Sequence, residues 1–338
     1  MNAALFCFSD DGAALARRAA DALGLPPSAI HSTEKYAARY GFSAHASIRA
    51  DMGALFGAHE ALIFIGACGI AVREIAPHLK SKADDPAVLV LDDQGRFVIP
   101  ILSGHIGGAN ALAVRLADAL GAAPVITTAT DGRGRFSPDA WAAAHHCAIS
   151  SLETAKAVSA AILTGEVPVC AEAPLPAALP AGLTAGEEGA LGIFIGIHTG
   201  QPFAATLRLI PRVVTLGIGC RRGAPEAAIR EAALTVLSAH RIDPRAVWRV
   251  ASIDVKREET GLLAFARSFG AETAFYSAEA LAAVPGAFSE SEFVKKTVGV
   301  GCVCERAAAL AGGTLLIPKT VCAGVTVAAA IGEWRISF

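Results

Sequence analysis

The apolar positions of this chain come in short runs whose spacing switches between two periods. Runs such as "AALFCF" (residues 3–8) and "ALIFIG" (61–66) suit buried strands. Between them, "GAALARRAADALG" (12–24) places alanines and leucines at helical spacing and stops on Gly24. "AVLVLDDQGRFVIPIL" (87–102) gives two apolar runs about Asp92 and Gly95, the pattern of a hairpin with a glycine turn. A glycine-rich loop, "SGHIGGAN" (103–110), then leads into a helix whose apolar face is Leu112, Ala113, Leu116 and Leu120. "APVITTATD" (123–131) is expected to close this unit as a further strand.

The texture changes between about 132 and 212. "APLPAALPAGLTAGEEGALG" (173–192) is rich in proline, alanine and glycine with weak periodicity, which predicts a linker or small irregular subdomain rather than a core. Beyond it, "RVVTLGIGC", "AVWRVASID", "ETAFYS", "TVGVGCVCE" and "TLLIPK" read as strands or strand-to-loop segments, with helical stretches at 226–240 and 261–269. The expected fold class is therefore α/β: two three-layer α/β/α domains with mostly parallel sheets, 1–135 and 211–338, joined by a Pro/Ala/Gly-rich middle region, 136–210. In such sheets ligands sit where strands end and strand-to-helix loops gather. That singles out 66–73, 103–110, 127–131, 217–223, 253–259, 299–305 and the segment at Lys319.

Composition changes this picture little. With 53% hydrophobic and 18% charged residues and a mean hydropathy of +0.48, a membrane reading has to be tested. The stretch 61–72 is too short to span a bilayer, and 190–207 is broken by "GIHTGQP". The start, "MNAALFCFSDDG", lacks the basic and long apolar regions of a signal peptide, so a cytoplasmic protein is expected. A net charge of -2 gives no general attraction to nucleic acid. The eight cysteines show no C-x-x-C or zinc spacing, which favours reduced core thiols and predicts no metal site.

Several loops carry candidate chemistry. His105 lies among glycines between a strand and a helix, where an imidazole can take a proton from water near neutral pH; a histidine merely bonded to backbone is the alternative. Three glycines around it suggest a ligand that approaches the backbone closely. Asp131, ending "TTATD", can orient His105, bind a cation or act as a base, although Asp-Gly is also a common turn. "GIGCRRG" (217–223) sets N–H groups, Arg221 and Arg222 before a helix, which favours a carboxylate or phosphate. It lacks the full G-x-G-x-x-G spacing, and the chain has no P-loop and no G-x-S-x-G elbow. Lys82 and Asp85, and likewise Lys256, Glu258, Glu259 and Lys319, are charges on strand-end loops that solvation alone can explain.

The run from "GACGIAVREIAPHLKSKADDPAVLVL" through "ILSGHIGGANALAVRLADALGAAPVITTATD" strongly resembles the N-terminal domain of the cobalt-precorrin-5A hydrolase family of anaerobic cobalamin biosynthesis. "VVTLGIGCRRGAPEAAIREA", "SIDVKREETGLLAFA", "VGVGCVCERAAALAGG" and "LLIPKTVCAGVTVAAA" resemble its C-terminal domain. The resemblance implies opening of a δ-lactone on a cobalt-bound tetrapyrrole and expulsion of acetaldehyde, giving cobalt-precorrin-5B. On this reading His105 is the general base toward water and Asp131 orients it or relays the proton. Gly107 and Gly108 N–H groups, with Ser103 or Asn110, meet the oxyanion. Gly69, Arg73, Lys82, Asp85 and Gly104 complete the expected substrate contacts of the N-terminal domain, and Gly219, Arg221, Arg222, Glu258 and Lys319 supply those of the C-terminal domain, the cations holding ring carboxylates. The resemblance implies no cofactor beyond the cobalt that the substrate carries, and it leaves room for a homodimer and for transient contact with neighbouring pathway enzymes. Two other readings stand beside it: a tetrapyrrole carrier without chemistry, and a nucleotide-dependent enzyme using "GIGCRRG".

Overall fold

The computed structural model describes residues 1–81, 84–104, 107–127 and 134–338, which form two compact units, Met1–Ala143 and Ala144–Phe338. The strands of the first are β1 (Ala3–Phe6), β2 (Ile30–Thr33), β3 (Ser43–His45), β4 (Ala61–Ile65), β5 (Ala87–Leu91), β6 (Phe97–Leu102) and β7 (Ala123–Pro124), in the order β3-β2-β1-β4-β5-β6-β7. Pairing is parallel except between β5 and β6, the hairpin turned at Gly95 with φ 66°. Alternation along each strand divides the core between the two faces. Leu5, Ile63, Leu89 and Leu91 pack against helices Asp10–Leu23 and Ala109–Leu120. Phe6, Leu62, Phe64, Val88 and Val90 pack against helices Ile48–Ala58 and Cys68–Ile75. Gly24 ends the first helix in the left-handed region, φ 67°. The strand expected over 123–131 is short: β7 is Ala123–Pro124, and residues 125–127 continue without strand structure.

The segment 136–210 is not a linker. It holds β8 (Cys147–Ile149), β9 (Val167–Ala171), β10 (Leu183–Ala185), β11 (Leu191–Ile195) and β12 (Ala205–Pro211), ordered β10-β9-β11-β12-β8, with a helix over Leu152–Thr164. Val169, Ile193, Ile195, Leu207 and Leu209 are buried, so the sheet has a core of its own. Its strands are short and interrupted by Pro168 and Gly192, which blurs their period.

The last sheet consists of β13 (Val214–Gly219), β14 (Val247–Ile253), β15 (Glu272–Tyr276), β16 (Thr314–Cys322) and β17 (Val325–Ile331), ordered β15-β14-β13-β17-β16. β13, β14 and β15 are parallel, and β17 runs against both its neighbours. The segment 297–305 is no strand: helix Glu292–Val298 ends at Gly299, φ 82°, and a loop leads into helix Cys304–Gly312. That helix lies close on the sheet because Gly217, Ala328 and Ala330 are small, and a Cβ on Gly217 would run into the Cys304 carbonyl. Gly217→Ala is expected to cost about 1–3 kcal/mol through overpacking, read as a lower urea midpoint with an unchanged slope. An unchanged midpoint would show that the helix has room to move.

Candidate functional site

Lys82, His105 and Asp131 lie outside the described residues. The loop ends flanking His105 are described, and they turn on themselves. Ser103 adopts φ 54° and its hydroxyl donates to the Asp85 carbonyl at 2.9 Å. The N–H groups of Ala109 and Asn110 donate to the carbonyls of Ser103 and Gly104. A Cβ on Gly107 would strike Ser103, one on Gly104 would press on the Asn110 amide at 2.8 Å, and Gly108 has φ 79°. Gly104 and Gly107 thus answer to this chain's own atoms, and Gly108 to its left-handed backbone. Asp85 is 7% exposed, and its carboxylate accepts the Lys80 N–H at 2.9 Å, which closes the turn before β5.

The structure also divides the N-terminal candidates between two edges of the sheet. β6 runs against β5, so Ser103 emerges beside Asp85, where β5 begins. Gly66, whose N–H donates to the Leu91 carbonyl, leads where β4 and β5 end into helix Cys68–Ile75, which carries Gly69 and Arg73. The two edges are separated by a five-residue strand, about 16 Å. Gly69 and Arg73 are both exposed, and among the described residues the Arg73 guanidinium reaches the Gly69 carbonyl at 3.5 Å. The strand-end rule fails here because one antiparallel hairpin reverses the direction of travel. Residues 125–127 run beside β6 in the same sense, with the Val125 N–H on the Val98 carbonyl, toward the Ser103 edge.

In the C-terminal sheet the rule holds. A cavity of about 1090 Å³ opens at the carboxyl ends of β13 and β14, and Gly219, Arg221, Arg222, Glu258 and Lys319 all line it. Lys256 pairs with Glu259 at 2.9 Å, and Glu259 also accepts the Gly223 N–H at 2.7 Å. The Lys256 hydrogen bond, ahead of the Gly223 N–H, holds the Glu259 carboxyl below its usual range. With that pair satisfied, the lining charges left are Arg221, Arg222 and Lys319 against Glu258, a net positive set. Val255 and Val321, 69% and 64% exposed, add apolar surface, as do Val294, Val298 and Val303.

Sequence reasoning reached the loop 299–305 but assigned no role to the residues there that hold this cavity together. Glu305, 1% exposed, accepts the Ser289 N–H at 2.6 Å, the Ser289 hydroxyl at 3.0 Å and the Lys319 N–H at 2.7 Å. Burial pushes its carboxyl up, but these donors outweigh it and the group stays below the ordinary range. Cys302 and Cys304, taken as plain core thiols, line the cavity with Ser252 and Thr326. The Cys-x-Cys-Glu spacing was the available signal. The arrangement is suited to gripping carboxylates on a partly apolar molecule.

Residues 51–131 match the family model described as Cobalamin synthesis G N-terminal, and 214–330 match Cobalamin synthesis G C-terminus. The chain is 36% identical over 343 residues to "Cobalt-precorrin-5A hydrolase" of Salmonella typhimurium, covering 94% of each. The chain belongs to the cobalt-precorrin-5A hydrolase family. A second member, from Priestia megaterium, is 34% identical over 307 residues, covering 84% of this chain and 82% of that one. "Protein CobE" of Sinorhizobium sp is 33% identical over 139 residues, 40% of this chain and 87% of its own length. Among the described residues of this family member, no helix is long and apolar enough to cross a membrane, and no group of three His, Cys, Asp or Glu is placed to hold a metal ion.

Proposed function

We propose that this chain hydrolyses the δ-lactone of cobalt-precorrin-5A and releases acetaldehyde, giving cobalt-precorrin-5B in cobalamin biosynthesis. The observation that carries the reading is whole-chain similarity to relatives of that name, 36% identity over 94% of both chains for the first. The cation-lined, valine-flanked cavity supports it, because the substrate is a wide apolar ring bearing carboxylates. Arg221, Arg222 and Lys319 take those carboxylates by charge-assisted hydrogen bonds.

The chemistry needs a base for water, donors for the oxyanion, and loss of a proton from the freed hydroxyl. Water adds to the lactone carbonyl and the ring C–O bond breaks. The freed hydroxyl then loses its proton, the carbon–carbon bond breaks, and the electron pair passes to the macrocycle as acetaldehyde leaves. His105 is proposed as the base, with Asp131 as its orienting or relaying partner. The Ser103 hydroxyl already donates to the Asp85 carbonyl, so the N–H groups of Gly107 and Gly108 are the proposed oxyanion donors. No further cofactor enters this scheme, and cobalt comes with the substrate.

Arg221→Ala and Lys319→Ala are each expected to raise KM about tenfold, the loss of one charge-assisted contact, with kcat changed less. The increase should shrink at high salt. An unchanged KM in both variants would place the carboxylates elsewhere. The other reading is a tetrapyrrole-binding protein without chemistry, which the cation-lined cavity alone would also suit. Tetrapyrrole binding with no acetaldehyde from the wild type would favour it.

A further inference from the structure

We propose that Cys302 and Cys304 form a reversible disulfide whose closure disables the C-terminal cavity. The disabling step rests on the reading of that cavity as the substrate site; the bond itself does not. The two sulfurs are 3.8 Å apart, and each residue is 1% exposed yet lines the cavity. Only Val303 separates them, and a disulfide needs its sulfurs at about 2.05 Å, so closure draws them together by roughly 1.8 Å. Among the described residues, the remaining six cysteines make no comparable sulfur–sulfur approach.

The surroundings divide the two thiols by role. The Cys304 S–H and the Glu305 N–H, at the start of helix Cys304–Gly312, favour a thiolate at Cys302, against burial and the nearby Glu305 carboxylate. Cys304 is pushed the other way, by the hydrogen bond with Cys302 and by burial, and keeps its proton. The oxidant is a small hydroperoxide able to enter the cavity. The Cys302 thiolate attacks the peroxide oxygen and the O–O bond breaks, leaving a sulfenic acid at Cys302. The Cys304 sulfur then attacks the Cys302 sulfur and water departs. In balance, two thiols and one hydrogen peroxide give one disulfide and two waters.

Closure reaches the cavity through residues already named. The Cys304 carbonyl abuts Gly217, leaving the first helical turn little room to give way on the sheet side. The adjacent Glu305 holds the Ser289 N–H and the Lys319 N–H. Drawing the two sulfurs together therefore strains the clasp that sets Lys319 in the wall.

The test treats purified full-length protein with hydrogen peroxide and digests it with trypsin, which releases 297–306, "TVGVGCVCER", with both cysteines and no other. The expected peptide is lighter by two hydrogens and is restored by dithiothreitol. Cys304→Ser should instead gain oxygen at Cys302. The oxidised protein is expected to release acetaldehyde at least tenfold more slowly, with recovery on reduction. A peptide that stays reduced, or only gains oxygen, while the half-buried Cys68, Cys147, Cys220 and Cys322 oxidise would overturn the disulfide. A disulfide with an unchanged rate would overturn the switch and leave the proposed function standing. If the reduced protein releases no acetaldehyde, the function reading fails, and the peptide mass alone decides the bond.

Discussion

His105→Ala is expected to slow acetaldehyde release by roughly 10²–10⁴-fold, the usual range for removing a general acid–base group. The loop around His105 is fixed at both ends by Ser103, Gly104, Ala109 and Asn110, so the truncated variant should keep its fold and its thermal midpoint. KM should move much less than kcat, because the cations proposed to bind carboxylates lie on other segments of the chain. The pH profile gives a readout that a purely structural histidine would not move. The base must be unprotonated, so the wild-type rate should rise with pH and then level off. The residual rate of the variant should lack that rise. Equal release from folded wild type and variant would move the base to Asp131 or to the C-terminal loops.

The N-terminal unit is expected to lose up to about 3 kcal/mol as the pH falls from 6.5 to 4. The cause is the burial of His31, which heads a hydrogen-bonded chain through His45 to Asp51 of helix Ile48–Ala58. His31 Nδ1 and His45 Nε2 are 2.7 Å apart, and His45 Nδ1 lies 2.7 Å from an Asp51 carboxylate oxygen. In this chain His31 donates to His45, whose other nitrogen donates to Asp51. His31 is 8% exposed and stacked on Phe6, with the His59 ring edge-on. Burial first, then the like charges of His45 and His59, lower its pKa from 6.5 to about 4. The unfolded chain therefore binds a proton that the folded chain refuses. This contribution is complete above pH 6.5 and is lost as pH falls toward 4. Urea unfolding between pH 7 and 4 should show the slope, and His31→Gln should flatten it. A slope unchanged in the variant would assign the acid sensitivity to other groups.

What could be read from sequence depended on whether a feature was local. The hairpin at Asp92 and Gly95, the helix stop at Gly24 and the buried run at 61–65 each sit within a short window, and the structure holds all three. The middle sheet escaped because strands of three to seven residues, broken by proline and glycine, leave no sustained period. Gly219, Arg221, Arg222, Glu258 and Lys319 line one cavity because parallel strands carry their loops to one edge. The same rule misplaced Gly69 and Arg73 relative to Ser103 and Asp85, since it does not foresee the reversal at β6. Glu305 was reached only as the end of the loop 299–305, and its role was not legible. Its partners, Ser289 and Lys319, are 16 and 14 residues away, and only the folded sheet brings them to one carboxylate.

The most direct test is anaerobic incubation of the purified wild-type chain with enzymatically prepared cobalt-precorrin-5A, trapping the volatile product. The account predicts one acetaldehyde for each cobalt-precorrin-5B formed, without any added nucleotide or redox cofactor. Tetrapyrrole bound by folded protein with no acetaldehyde released would contradict it.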